Sequence, residues 1–226
     1  MADSTIYSGG RDGYVRHQET TSWNDAQGSA TTNGDAYSNT AGFYGEGVLA
    51  RIAGSRGSSN YDCNRSYFEF DLSGESTEVD SATISIRMDN LGTSSGNSAK
   101  AIMVEATALD GGAEDHGNVF SSGTTWHDDI SDAVTISTTI GYHVFTMNSD
   151  GITLINNTID SGGTMAVGLV SYHHDFSDIA PYANGDYSKF LVSYSEFLGT
   201  AGDPKLDLTY VVAVAADNAT FFGANF

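Results

Sequence analysis

Between Arg65 and Met88 the chain reads RSYFEFDLSGESTEVDSATISIRM, and apolar and polar positions alternate along it. Phe68, Phe70 and Leu72 fall on one side of an extended chain, with Tyr67, Glu69 and Asp71 on the other. Ala82, Ile84, Ile86 and Met88 then alternate with Thr83, Ser85 and Arg87. Successive side chains of a strand point to opposite faces, so two period-2 runs joined by a polar Gly/Ser/Glu stretch predict neighbouring half-buried strands.

The same reading extends along the chain. Ile6-Tyr7 and Tyr14-Val15, broken by Gly9, Gly10 and Gly13, predict a first edge strand. Val48 to Ala53 predicts a short strand, and Ala101 to Leu109 a longer one with Ile102, Val104, Ala106 and Ala108 inward and Met103, Glu105 and Thr107 outward. Further strands are expected at Val134–Ile136, Tyr142–Met147, Met165–Ser171, Lys189–Tyr194 and Leu206–Val212. Pro204 suits the start of the last one, where no ladder N–H is needed. Helical spacing occurs once: Ser149-Asp150 offers an N-cap, Ile152, Ile155 and Ile159 follow at i, i+3 and i+7, and Gly162-Gly163 ends the run. With almost no helix to make parallel crossovers, about nine or ten strands predict an all-β, two-sheet antiparallel sandwich, a jelly roll with one short helix.

A single sandwich spanning residues 1–212 is expected, since 226 residues bury enough surface without a second domain or disulfides. Residues 18–47, rich in Ser, Thr, Asn and Gly with Trp23, Tyr37, Phe43 and Tyr44 among them, read as a long surface loop or insertion. The lone Cys63 forms no intrachain bridge and reads as a small packed residue. Residues 213–226 form a C-terminal tail whose Phe221, Phe222 and Phe226 either fold back on the sandwich or dock on a partner chain.

Nine basic against 29 acidic residues give a formal charge of −20. Such a surface repels phosphate backbones, so nucleic acid and anionic membranes are not expected partners. It is compatible with solubility, with divalent cations or with a basic protein. No apolar run approaches the roughly 18 residues that would suggest membrane insertion. The opening MADSTIYSGGRDGYV lacks a basic segment followed by an apolar one, so ordinary secretion is not expected.

The order RSYFEFDL, SATISIRM, a loop tryptophan at Trp126, YHVFTM, DGITLINNTIDSGG, then KFLVSYSEF and GDPKLDLTY resembles the DNRLRE-type domains. These are jelly-roll modules similar to carbohydrate-binding modules, found in secreted bacterial proteins and bacteriophage structural proteins. The resemblance covers roughly residues 6–212 and carries no catalytic motif; the 18–47 stretch and the FFGANF tail depart from it. It implies a non-enzymatic module in which a structural ion is common. Calcium donors would come from Asp110, Glu114 and Asp115, or from Asp128 and Asp129, neither set having EF-hand spacing.

Candidate contact residues cluster in YHHDFSD and just beyond it: Tyr172, His173, His174, Asp175, Phe176, Tyr182 and Tyr187, with Trp23 and Trp126 from elsewhere. Aromatic faces stack on sugar rings and carboxylates accept hydroxyl protons, but tyrosines equally enrich protein interfaces and ordinary loops. His173 and His174, adjacent on an extended chain, would point apart and need His116 or His127 to make a metal site. No G-x-S-x-G, P-loop or H-E-x-x-H motif is present, and no enzyme is expected.

Two functions are therefore expected. One is a structural protein of a bacteriophage virion, a capsid decoration or tail-associated subunit that is homo-oligomeric or bound to other virion proteins. The other is a glycan-binding module that attaches to extracellular or host polysaccharide.

Overall fold

The computed structural model describes residues 3–38, 45–55, 58–90, 96–182, 187–194 and 201–212. The tail phenylalanines Phe221, Phe222 and Phe226, and Phe43 and Tyr44, lie outside these residues. The N-terminal half comprises β1 (Ser4–Tyr7), β2 (Gly13–Glu19), α1 (Trp23–Gln27), β3 (Ala36–Ser38), β4 (Gly45–Ser55), β5 (Ser58–Asp71) and β6 (Val79–Asn90). The remainder comprises β7 (Lys100–Glu105), β8 (Phe120–Ser122), β9 (Thr125–Trp126), β10 (Val134–Thr135), β11 (Gly141–Thr146), α2 (Ser149–Ser161), β12 (Thr164–Ser171), β13 (Ser188–Val192) and β14 (Lys205–Tyr210).

All the strand pairings among the described residues are antiparallel, and the fold is an all-β sandwich. One layer runs β1, β14, β6, β11. The other is centred on β5, with β2 along one edge and β4 and β12 sharing the opposite edge end to end, because β2 overlaps both of them in register. Beyond β12 lie β7 and β10. β13 pairs with β4 through Ser188–Phe190 and Val192 and with β6 through Phe190–Val192, so it bridges the two layers.

The alternation builds the interior. Phe68, Phe70 and Leu72 meet Ile84, Ile86, Met88, Leu206 and Leu208 between the layers, with Phe145 from β11. Burial of each such side chain contributes about 1.5 to 3 kcal/mol relative to exposure. α2 closes one side with Ile155 and Ile159. Its N-cap is Asn148, not the Ser149-Asp150 pair: the Asn148 side chain accepts from the N–H groups of Asp150 at 3.0 Å and Gly151 at 2.9 Å. Gly162 ends the helix in the left-handed region at φ 63°, which glycine adopts without a Cβ penalty.

Three expectations are corrected. β7 faces the other way: Ala101 and Met103 enter the inter-layer core, while Ile102, Val104 and Ala106 point to the far side of the sheet. That side is covered by a second apolar cluster built with Val15, Tyr67, Leu109, Val119, Phe120 and Val170, so Tyr67, placed outward by alternation, is buried. The 18–47 stretch is not wholly a surface loop: Trp23 and Ala26 of the five-residue α1 pack on Cys63, and β3 pairs with β2.

Candidate functional site

Arg65 lies on the face of β5 that the second cluster covers, with no solvent contact. A buried guanidinium requires partners for its donors, and they come from three separate segments. Nε donates to Asp175 Oδ2 at 2.7 Å and Nη2 to Asp175 Oδ1 at 2.8 Å. Nη1 donates to the His116 carbonyl at 2.8 Å, and Nη2 also to the Gln27 carbonyl at 2.9 Å. Phe120 and Trp126 lie over its face at 4.8 and 5.3 Å. Burial alone pulls the Arg65 pKa down, but the Asp175 carboxylate more than offsets this, and the net shift is upward. The cation is permanently charged and unavailable for proton transfer.

This hub fixes a row of aromatic rings. Tyr172–Phe176 forms a single π-helical turn at the end of β12, N-capped by the Ser171 hydroxyl, which accepts from the His174 N–H at 3.3 Å. The turn carries Asp175 down to Arg65 and leaves Tyr172 and Phe176 half-buried at the surface. Phe176 lies 5.4 Å from Trp126 and 6.2 Å from Tyr172 between ring centroids. The Lys100 ammonium stands 5.9 Å from the Tyr172 ring and closes the row.

Of the sequence candidates, Trp126, Tyr172 and Phe176 thus come together. Trp23 does not join them: it is buried, with 3% of its surface exposed. His174 and Asp175 are corrections of the same kind. His174 donates from Nδ1 to the Ile179 carbonyl at 2.7 Å and is sealed, and Asp175 is consumed by Arg65. His173 and His174 do not point apart, because the turn is helical; their rings meet edge-on at 4.8 Å. Tyr182 is 63% exposed and Tyr187 half-buried.

The carboxylates considered for calcium do not converge. Asp115 is buried and accepts from the N–H groups of Asp110, Gly111 and Gly112 at 3.0, 2.9 and 3.2 Å, and from Asn118 Nδ2 at 3.0 Å. It ties its own loop together. Asp128 and Asp129 are exposed. Among the described residues, no three His, Cys, Asp or Glu side chains are placed to hold a metal ion.

Two features carried no local sequence signal. The first is a polar cleft of about 710 Å³ beside α1, lined by His17, Glu19, Asn24, Asp25, Ser29 and Thr32 among others. Behind it lies His116, fully buried, its ring 5.0 Å from that of His17. Burial, then Arg65 and His17, push the His116 pKa well below the ordinary histidine value. The second is the outer face of the β1, β14, β6, β11 layer, where register aligns Tyr7, Lys205, Ser85 and Val144 and sets Tyr142 beside Arg87. Tyr7, Tyr142 and Val144 are 43, 41 and 49% exposed there.

Comparison with protein-family models finds no match, and comparison with curated protein sequences finds none either.

Proposed function

We propose that the chain is a non-enzymatic structural subunit of a bacteriophage virion, a capsid-decoration or tail-associated sandwich that acts through its surfaces. The outer face carrying Tyr7, Tyr142 and Val144 supports this reading. On a chain of net charge −20, an ordered sheet surface with three apolar groups on the strands either side of Lys205 and Arg87 is suited to contact another protein. The interior supports it too, since two buried charges are paired: Arg65 with Asp175, and Asp62 with Arg16 and Arg51. The test is antibody against the chain, applied to gradient-banded particles of the phage that encodes it. Labelled particles are expected; label confined to the unassembled fraction contradicts the proposal.

A second reading has its own observation. The Trp126, Phe176 and Tyr172 row offers ring surface at the exterior, suited to the apolar face of a sugar, and so supports attachment to polysaccharide. Loss of glycan-array binding in Tyr172→Ala, with an unchanged melting curve, is the expected result. Undiminished binding in that variant would discard the row.

A further inference from the structure

We propose that the cleft beside α1 is a saccharide subsite selective for neutral or amine-bearing sugars over acidic ones. The inference rests on the glycan reading but concerns a surface separate from the aromatic row.

The argument begins with His17. Its side chain is 9% exposed, and what remains visible faces the cleft. Nδ1 lies 2.9 Å from the Ala26 carbonyl, which only accepts, so Nδ1 donates there and Nε2 is the ring nitrogen left over. Nε2 forms no hydrogen bond among the described residues; Glu19 Oε1 lies 3.7 Å away. A nearly buried imidazole lining a cavity, with one ring nitrogen outside any hydrogen bond, can meet a hydroxyl, which both donates and accepts.

The rest of the lining fits such a ligand. Glu19 and Asp25 present carboxylate acceptors, Asn24 an amide, and Thr21, Ser29 and Thr32 hydroxyls that donate or accept. A polyhydroxylated molecule offers a donor and an acceptor at each hydroxyl. Among the described residues, no lysine or arginine lines the cleft, and none of those that do compensates the charge of a uronate, sulfate or phosphate. Two carboxylates repel those groups and attract an ammonium.

The walls are held in advance, which limits the ordering cost of binding. Trp23 and Ala26 anchor α1 on Cys63. Gln27 ties its end to the hub twice, its carbonyl accepting from Arg65 and its side-chain amide donating to the Asp175 carbonyl. Gly28 then turns the chain at φ 74°, and the Ala30 N–H donates to the Gly123 carbonyl at 2.7 Å, fixing the far wall to the β8–β9 hairpin.

The test is calorimetric titration of the full chain with three probes: a neutral glucose hexamer, a glucosamine hexamer and a glucuronate hexamer. Binding of the first two and none of the third is expected, and Glu19→Gln should weaken binding about tenfold, the loss of a hydrogen bond to a charged acceptor. Asn24→Ala, at an exposed position, should also weaken it while the melting curve stays unchanged. Equal affinity for the glucuronate, or affinity indifferent to both substitutions, overturns the proposal. Tyr172→Ala separates the two surfaces. Binding lost there but intact in Glu19→Gln would spare the row and reject the cleft; the opposite pattern would retain the cleft and reject the row.

Discussion

Asp175 clamps Arg65 from two directions, Oδ2 to Nε at 2.7 Å and Oδ1 to Nη2 at 2.8 Å, and neither residue is more than 1% exposed. The clamp joins the π-helical turn after β12 to the middle of β5, while the other Arg65 donors hold the carbonyls of Gln27 and His116. The aromatic row and the α1 cleft both rest on this one cation. Removing either partner leaves an uncompensated buried charge, at a cost of about 3 to 5 kcal/mol. Asp175→Asn is therefore predicted to lower the urea midpoint sharply, and Arg65→Met/Asp175→Leu to lower it less than Asp175→Asn alone. A double variant less stable than the single one would show that the pair stabilises beyond mutual neutralisation.

His116 makes the fold acid-sensitive. Among the described residues neither ring nitrogen has a hydrogen-bond partner, the approach of the Cys63 backbone falling short of one, and burial beside Arg65 and His17 disfavours the imidazolium. The unfolded chain, whose histidine titrates near 6.5, binds the proton first. Stability is fully present above pH 6.5 and falls as pH drops below it toward the depressed folded value, by up to about 1.4 kcal/mol per pH unit. His143, whose pKa burial also lowers, contributes in the same direction. Urea midpoints between pH 7.5 and 5 should fall for wild type and flatten in His116→Leu/His143→Leu; the same slope in both proteins would refute the assignment.

The second apolar cluster can be tested at one glycine. A Cβ on Gly168 of β12 would sit 2.5 Å from Val119 Cγ1, so Gly168→Ala must push the covering segment off the sheet. Overpacking of this kind costs about 1 to 3 kcal/mol. Gly141→Ala, where nothing lies within 4 Å, is predicted to change the melting temperature little. Equal effects at the two sites would mean that the cover is looser than described.

Asn148 caps α2 and also donates from Nδ2 to the Asp129 carbonyl at 2.7 Å. Asn148→Ala should cost about 1 to 2 kcal/mol, and Asn148→Asp, which keeps the cap but not the donor, less. Thermal melts of the two variants give the ranking; Asn148→Asp as unstable as Asn148→Ala would shift the weight from the cap to the Asp129 contact.

How far these features were legible follows from which faces are dry. β6 has Ile84, Ile86 and Met88 in the core and Arg87 half-exposed, so alternation alone orients it. β7 is buried on both faces, so its pattern gives no direction, and Met103 lies in the core between the layers while Ile102 and Val104 lie under the outer cover. Tyr67 and Arg65 were obscured for the same reason: their face of β5 would be wet but for segments remote in sequence. Within the candidate site, the composition of Tyr172–Phe176 marks this turn in the sequence, yet nothing local shows that Asp175 and His174 point inward. The cleft was invisible because His17, Asn24 and Thr124 meet only through tertiary packing.

The account depends most on the chain being part of a particle. Immunogold electron microscopy of gradient-banded phage, with antibody raised to the purified chain, tests this directly. Gold at regular positions on intact particles is the predicted result; bare particles, with all of the antigen in the soluble lysate, would contradict it.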